Sequence, residues 1–265
     1  MSEQRVAIDI EGHVAEVRLT RPEKHNALDS AMFQGIVAAA ERLRGEPGVR
    51  AVVLHGEGPS FCSGLDIAGF MSDPAATTDY LERRNGDLAN FVQRVAYDWS
   101  LVPVPVIAAV HGACFGGGLQ FALGADIRVA APDARLSVME IRWGLVPDMG
   151  ITQTLPRLVR ADVAKELTFT GRRVSGEEAH ALGLVTRVAD DPLADARELA
   201  AEIAAKSPDA IRAGKRLIDE TWNASPADAL RLETELQQAL IGSPNQVEAM
   251  MAGARKAEPA FADPA

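Results

Sequence analysis

Between residues 104 and 150 the chain reads VPVIAAVHGACFGGGLQFALGADIRVAAPDARLSVMEIRWGLVPDMG, and no other stretch constrains the fold so tightly. The apolar run over 104–110 has the composition of a buried strand. Three glycines at 116–118 follow, and LQFALGAD then opens as a helix. A strand–glycine–helix junction aims bare backbone N–H groups and the positive end of a helix dipole at one point. Glycine also lets a ligand approach the main chain with no Cβ in the way. Three glycines alone would equally suit tight packing of a helix on a strand. Two carboxylates, Glu140 and Asp148, follow on a second irregular stretch, so the region reads as an anion cradle facing acid–base groups.

Composition narrows the setting. The 265 residues are 47% hydrophobic and 24% charged, ordinary for a globular chain that buries a core. A formal net charge of −10 disfavours a general nucleic-acid binder, which needs a basic surface. Cys62 and Cys114 have neither metal-type nor disulfide-framework spacing, which fits a reducing compartment. MSEQRVAIDI has no charged leader followed by an apolar core, and no apolar run reaches the roughly 20 residues that span a bilayer. A soluble cytoplasmic protein without a membrane segment is expected.

Along the chain, residues 5–20 read as a β-hairpin turning at Glu11, Gly12 and His13. A helix is expected from Asp29 or Ser30, with Met32, Phe33, Ile36, Val37 and Ala40 on one face, followed by a buried strand over 49–56. Residues 74–100 suggest a helix whose stripe of Leu81, Leu88, Phe91, Val92 and Val95 faces the core. After the glycine junction come a helix over 117–124, strands at IRVAA and LSVM, a short helix at ITQTLPRLV, a helix over 175–184 and a strand at LVTRV. Beyond residue 190 only helical segments remain, four of them, separated by Pro and Gly. The division is an α/β core over 1–190 and a helical region over 191–265 that must cover the core or a second copy of the chain.

Residues 51–69 repeat the physical plan of 104–124: strand, glycine-containing turn, helix. Each turn can aim an N–H into a shared space, and two such donors on one developing charge make an oxyanion hole. RPEKHNALD, FCSGLDI, HGACFGGGLQ and MEIRWGLVPDMGITQTLPRLV, in this order and spacing, resemble the enoyl-CoA hydratase/isomerase (crotonase) superfamily, over nearly the whole chain and down to the terminal RKAEPAF.

The resemblance implies an α/β fold, a spiral of ββα repeats with a C-terminal all-helical trimerisation region, assembled as a homotrimer or a hexamer of two trimers. It implies an acyl-CoA thioester substrate, no metal and no cofactor beyond the CoA of the substrate. The oxyanion positions fall on Leu65 and Gly117, and Leu65, Asp66, Ile67 and Ala68 would lie along the acyl-CoA. The two catalytic positions fall on Gln120 and Glu140. Hydratases of the family carry two glutamates there, and Gln120 cannot take a proton at any working pH. Dienoyl-CoA isomerases of the family carry a second acid eight residues after the second glutamate, which matches Asp148, although the position of Gln120 is usually acidic there too.

Without the resemblance Asp148 serves equally as a helix N-cap; with it, catalysis is favoured. Lys24, and Lys256 or Arg255, are candidates for the CoA phosphates, with a solvated surface charge as the plain alternative. Cys62 and Ser63 flank the first turn with no histidine in a nucleophile pattern, His111 is expected to be structural, and Trp143 is expected in the core. The leading expectation is an acyl-CoA double-bond isomerase, with an enoyl-CoA hydratase and a non-catalytic acyl-CoA binder as alternatives.

Overall fold

A computed structural model describes residues 4–67, 80–83 and 86–264. Ala68 and most of residues 68–85 therefore lie outside the described residues. The hairpin is β1 (Val6–Glu11) with β2 (Val14–Leu19), paired antiparallel from Val6 opposite Leu19 to Glu11 opposite Val14. β2 continues in parallel to β3 (Ala51–Gly56), then β4 (Val106–Val110), β6 (Ile127–Ala130) and β9 (Arg187–Val188), giving a six-stranded sheet in the order β1-β2-β3-β4-β6-β9. β3 and β4 are buried at every position, as their uninterrupted apolar composition requires.

β5 (Ala113–Phe115), β7 (Arg135–Ser137) and β8 (Val174–Ser175) form a second, three-stranded sheet. From β4 to β7 successive strands alternate between the two sheets, which is the ββα spiral seen edge-on. Among the described residues, the first turn of the spiral joins the small sheet through an isolated bridge between Cys62 and Cys114.

Helix α1 (Ser30–Arg44) starts where the side chain of Asp29 accepts the Met32 N–H, and buries Met32, Phe33, Ile36, Val37, Ala40 and Leu43. Within the expected helix over 74–100, Phe91–Ser100 forms α2, begun by a capping box between Asn90 and Gln93, and residues 74–79 and 84–85 lie outside the described residues. That cap sets the correction: Val92 and Val95 are buried, whereas Leu81 and Leu88 precede the helix and are exposed. α3 (Gly117–Leu123) lies where the glycine junction placed it and is buried at every position. ITQTLPRLV is shorter than expected: a single turn, α4 (Ile151–Thr154), tightens to a 3-10 turn at Pro156. α5 (Ala161–Thr170) was not anticipated, because only Leu167 of its ten residues is buried and its apolar stripe is weak. α6 (Gly176–Leu182) ends on Gly183 as expected.

The four C-terminal helices are α7 (Pro192–Ala204), α8 (Pro208–Thr221), α9 (Pro226–Leu240) and α10 (Pro244–Arg255). Each begins with proline after a capping Asp191, Ser207, Ser225 or Ser243. Ala196, Leu199 and Ala200 of α7 pack on Val53, Ile107 and Val129, so this helix closes the second face of the large sheet. α8 is tied to the start of β4 and β6 by Lys215, which donates to the Val104 carbonyl and pairs with Asp126 at 2.7 Å, and the tail returns to the core through buried Arg50, which binds the Phe261 carbonyl and Asp263. No helix among the described residues is long and apolar enough to cross a membrane.

Candidate active site

The two turns meet. Gly64 has φ +88°, and a Cβ there would lie 2.6 Å from the Phe115 carbonyl oxygen and 3.7 Å from the Gly117 nitrogen. The first turn is held by pairing on both sides. Cys62 N–H donates to Ala113 and Phe115 N–H donates back to Cys62; Leu28 N–H donates to Gly64 and Asp66 N–H donates to Leu28. Leu65 sits between these ladders, and its own N–H has no acceptor among the described residues. The second turn is set by Gly116, with φ +51° and ψ −122°, a conformation that excludes a side chain. Gly117 opens α3, so its N–H is one of the amides a helix leaves unbonded at its start, and it too has no acceptor among the described residues. A Cβ on Gly118 would meet the Cys62 carbonyl at 2.4 Å, so this glycine brings the helix onto the first turn.

Glu140 opens a 3-10 turn, Glu140–Trp143, directly behind Gly116. Its Oε1 accepts a hydrogen bond of 2.7 Å from Gln120 Nε2. Its Oε2 is buried with no partner among the described residues. Burial pushes the Glu140 carboxyl above its usual 4.5; hydrogen bonds from the local backbone and Gln120 pull it down, and the charge of Asp148 adds to the rise. A carboxylate moved upward is better matched to exchanging protons near neutrality.

Asp148 also lies above its usual value of 3.8 because nearby protein desolvates it, although the residue stays exposed on one side. The capping alternative is not realised: α4 is preceded by Gly150, with no side-chain cap. Gln120 is 1% exposed and holds no proton to give, but its Oε1 accepts the Met149 N–H at 2.8 Å while its Nε2 reaches Glu140. Met149 had no signal in the sequence, since its part is played by a backbone N–H and by a sulfur packed where a Cβ on Gly117 would be.

The remaining expected residues divide. Leu65, Gly117, Gln120 and Glu140 come together, with Asp148 close enough to act on Glu140 electrostatically. The Asp66 carboxylate is bound to Arg21 Nη1 at 2.8 Å, so only its backbone borders the turn. Ile67 is half-buried beside it. Lys24 is exposed near the first turn, and Lys256 is exposed at the end of α10. Cys62 is sealed in the core and burial pushes its thiol up to about 12, which removes it as a nucleophile. His111 Nε2 lies 2.9 Å from the Gly58 carbonyl, a structural tie. Trp143, expected in the core, is 58% exposed, and with Ile141, Leu145 and Val146 it forms an apolar shelf beside the carboxylates.

Unbonded amides on two turns that meet, beside carboxyls raised by burial, are the features of this site. The family model for enoyl-CoA hydratase/isomerase matches residues 9–264, and the chain belongs to that family. The rat mitochondrial Delta(3,5)-Delta(2,4)-dienoyl-CoA isomerase is 35% identical over 250 residues, covering 86% of this chain and 76% of the rat protein. The human mitochondrial enoyl-CoA hydratase domain-containing protein 2 is 35% identical over 258 residues, covering 94% and 85%. The crystal structure of an enoyl-CoA hydratase from Bacillus anthracis superposes with a TM-score of 0.88 at 29% identity, covering 97% of this chain and 99% of the other.

Proposed function

We propose that this enzyme moves double bonds in a dienoyl-CoA or enoyl-CoA thioester, with Glu140 and Asp148 carrying the protons. The observation that carries the reading is the pair of perturbed carboxylates flanking one oxyanion turn, with a non-titrating Gln120 where a second glutamate would serve hydration. For a 3,5-dienoyl-CoA, Glu140 removes a proton from C2, and the electron pair spreads into a trienolate whose oxygen is held by the Leu65 and Gly117 N–H groups. Asp148 returns a proton at C6, leaving the conjugated 2,4-dienoyl-CoA. Glu140 takes the C2 end because it backs onto Gly116, beside the oxyanion donor.

The chemistry uses no metal and no cofactor besides the CoA of the substrate. Leu65 and Ile67 line the acyl-CoA, and Lys24 and Lys256 reach for its phosphates. The exposed apolar side chains of the C-terminal helices, among them Trp222, Ile241 and Met250, favour a homotrimer or hexamer.

Mixing the protein with a 3,5-dienoyl-CoA and following 2,4-dienoyl absorbance tests the reading. Asp148→Asn is expected to lower the rate roughly 100-fold, the scale of a lost acid or base. Full activity in that variant would end the two-carboxylate version. Efficient hydration of a 2-enoyl-CoA with no isomerisation would turn the assignment to a hydratase.

A further inference from the structure

Gln120 needs an explanation of its own. It is almost fully buried in α3, one turn beyond Gly116, to whose carbonyl its own N–H donates at 3.0 Å. Buried amides are usually satisfied amides, and satisfaction alone would predict any convenient partners. The partners here are specific. Met149 N–H can only donate, so the Gln120 carbonyl must face it, and the Gln120 NH2 must then face Glu140 Oε1. The amide orientation is thus dictated at both ends. Glu140 Oε1 is also backed by Gly116, whose Cβ position lies 3.2 Å away. Only Oε2 is left uncommitted, and it has no other partner among the described residues. At the far end, the Met149 side chain rests on Gly117, the second oxyanion donor, and Met149 directly follows Asp148.

We infer that Gln120 is a positioning residue whose amide ties Glu140 to the Met149 backbone, holding the proton-transfer carboxylate, the Gly117 donor and the Asp148 segment in one register. The inference rests on Glu140 being the proton-transfer group proposed above. One oxygen of Glu140 is fixed by the tie, and the other is left to exchange the proton. A hydrogen bond donated to a carboxylate favours its anion, so the tie also keeps Glu140 able to act as a base despite its burial. A glutamate at position 120 would reverse this above its own titration, setting two acceptors against each other.

The test reads Glu140 directly. Protein labelled with 13C at the glutamate side-chain carboxyls is titrated by NMR, with Glu140→Gln used to assign the resonance. Gln120→Met keeps the length and removes the donor. Its Glu140 midpoint is expected to rise by about one unit, the scale of one hydrogen bond to a charged group, and the acid limb of kcat/KM is expected to move with it. Gln120→Glu is expected to behave like the wild type at low pH, where the new carboxyl can donate, and to lose activity as that proton leaves. An unmoved Glu140 midpoint in folded Gln120→Met overturns the inference. Should that variant fail to fold, a Gln120→Glu profile that parallels the wild type at every pH overturns it instead. A shifted midpoint in a protein inactive on every dienoyl- and enoyl-CoA leaves the tie standing and removes the isomerase reading.

Discussion

Leu65 and Gly117 carry unbonded amides on two turns that meet, and the chain around them is held by different means. Around Leu65 the backbone is extended and pinned by β-type pairing, to Leu28 on one side and through Cys62 to Cys114 on the other. The Gly117 amide is free because a helix begins there, and it is brought into place by close packing rather than pairing. The second turn is tied to the Glu140 carboxylate through Gln120, whereas the carboxylate on the first turn, Asp66, is bound to Arg21. An amide inside a ladder normally has a partner, so leaving Leu65 unbonded takes two ladders that stop on either side of it. An amide at a helix start is unbonded by default, so there the fold need only keep side chains out of the way.

This contrast sets an order of effects. Gly118→Ala pushes a Cβ against the Cys62 carbonyl, a backbone atom already committed to Phe115, and neither side can yield. A loss of about 3 kcal/mol in urea unfolding is expected, and a loss under about 1 kcal/mol would show that packing does not hold the second turn. Gly64→Ala combines a left-handed φ with the Phe115 carbonyl at 2.6 Å, and about 2 kcal/mol is expected. If it also swings Leu65 N–H off the enolate, kcat/KM falls roughly 100-fold, the cost of one lost donor.

The pH dependence probes the second turn directly, because Glu140 behind it is a carboxyl raised by burial. The folded protein holds the Glu140 proton more tightly than the unfolded chain does, so stability falls as pH rises from about 4.5 through the folded titration. Glu140→Gln removes that penalty. Its melting temperature is expected to exceed that of the wild type at pH 8, with the gap closing toward pH 4.5 while the proposed isomerase activity is lost; a gap independent of pH would contradict the assignment. The smallest effect calibrates the others. Gly214 lies inside α8 with nothing within 4 Å of a Cβ, so Gly214→Ala should stabilise by about 0.5–1 kcal/mol in the same urea titration.

Much of this was legible in one dimension. The buried strands at 51–56 and 106–110 were readable as continuous apolar runs, and the helix start at Asp29 as a residue type with a local job. Leu65, Gly117, Gln120 and Glu140 were named from the resemblance to the enoyl-CoA hydratase/isomerase family. What escaped the reading depends on partners distant in sequence. α5 had too weak a stripe, and Trp143 looked like core because it is large and apolar.

The chain's order of residue types settles where strands end, where glycines admit close approach and which groups can carry protons, because these are properties of each residue and its neighbours within a few positions. It leaves open which atoms face which. That Gln120 would bridge Glu140 and Met149, 20 and 29 residues away, follows only once β5 and β7 pair and α3 packs against the first turn. A side-chain amide can satisfy itself in many ways, and the folded geometry leaves it one.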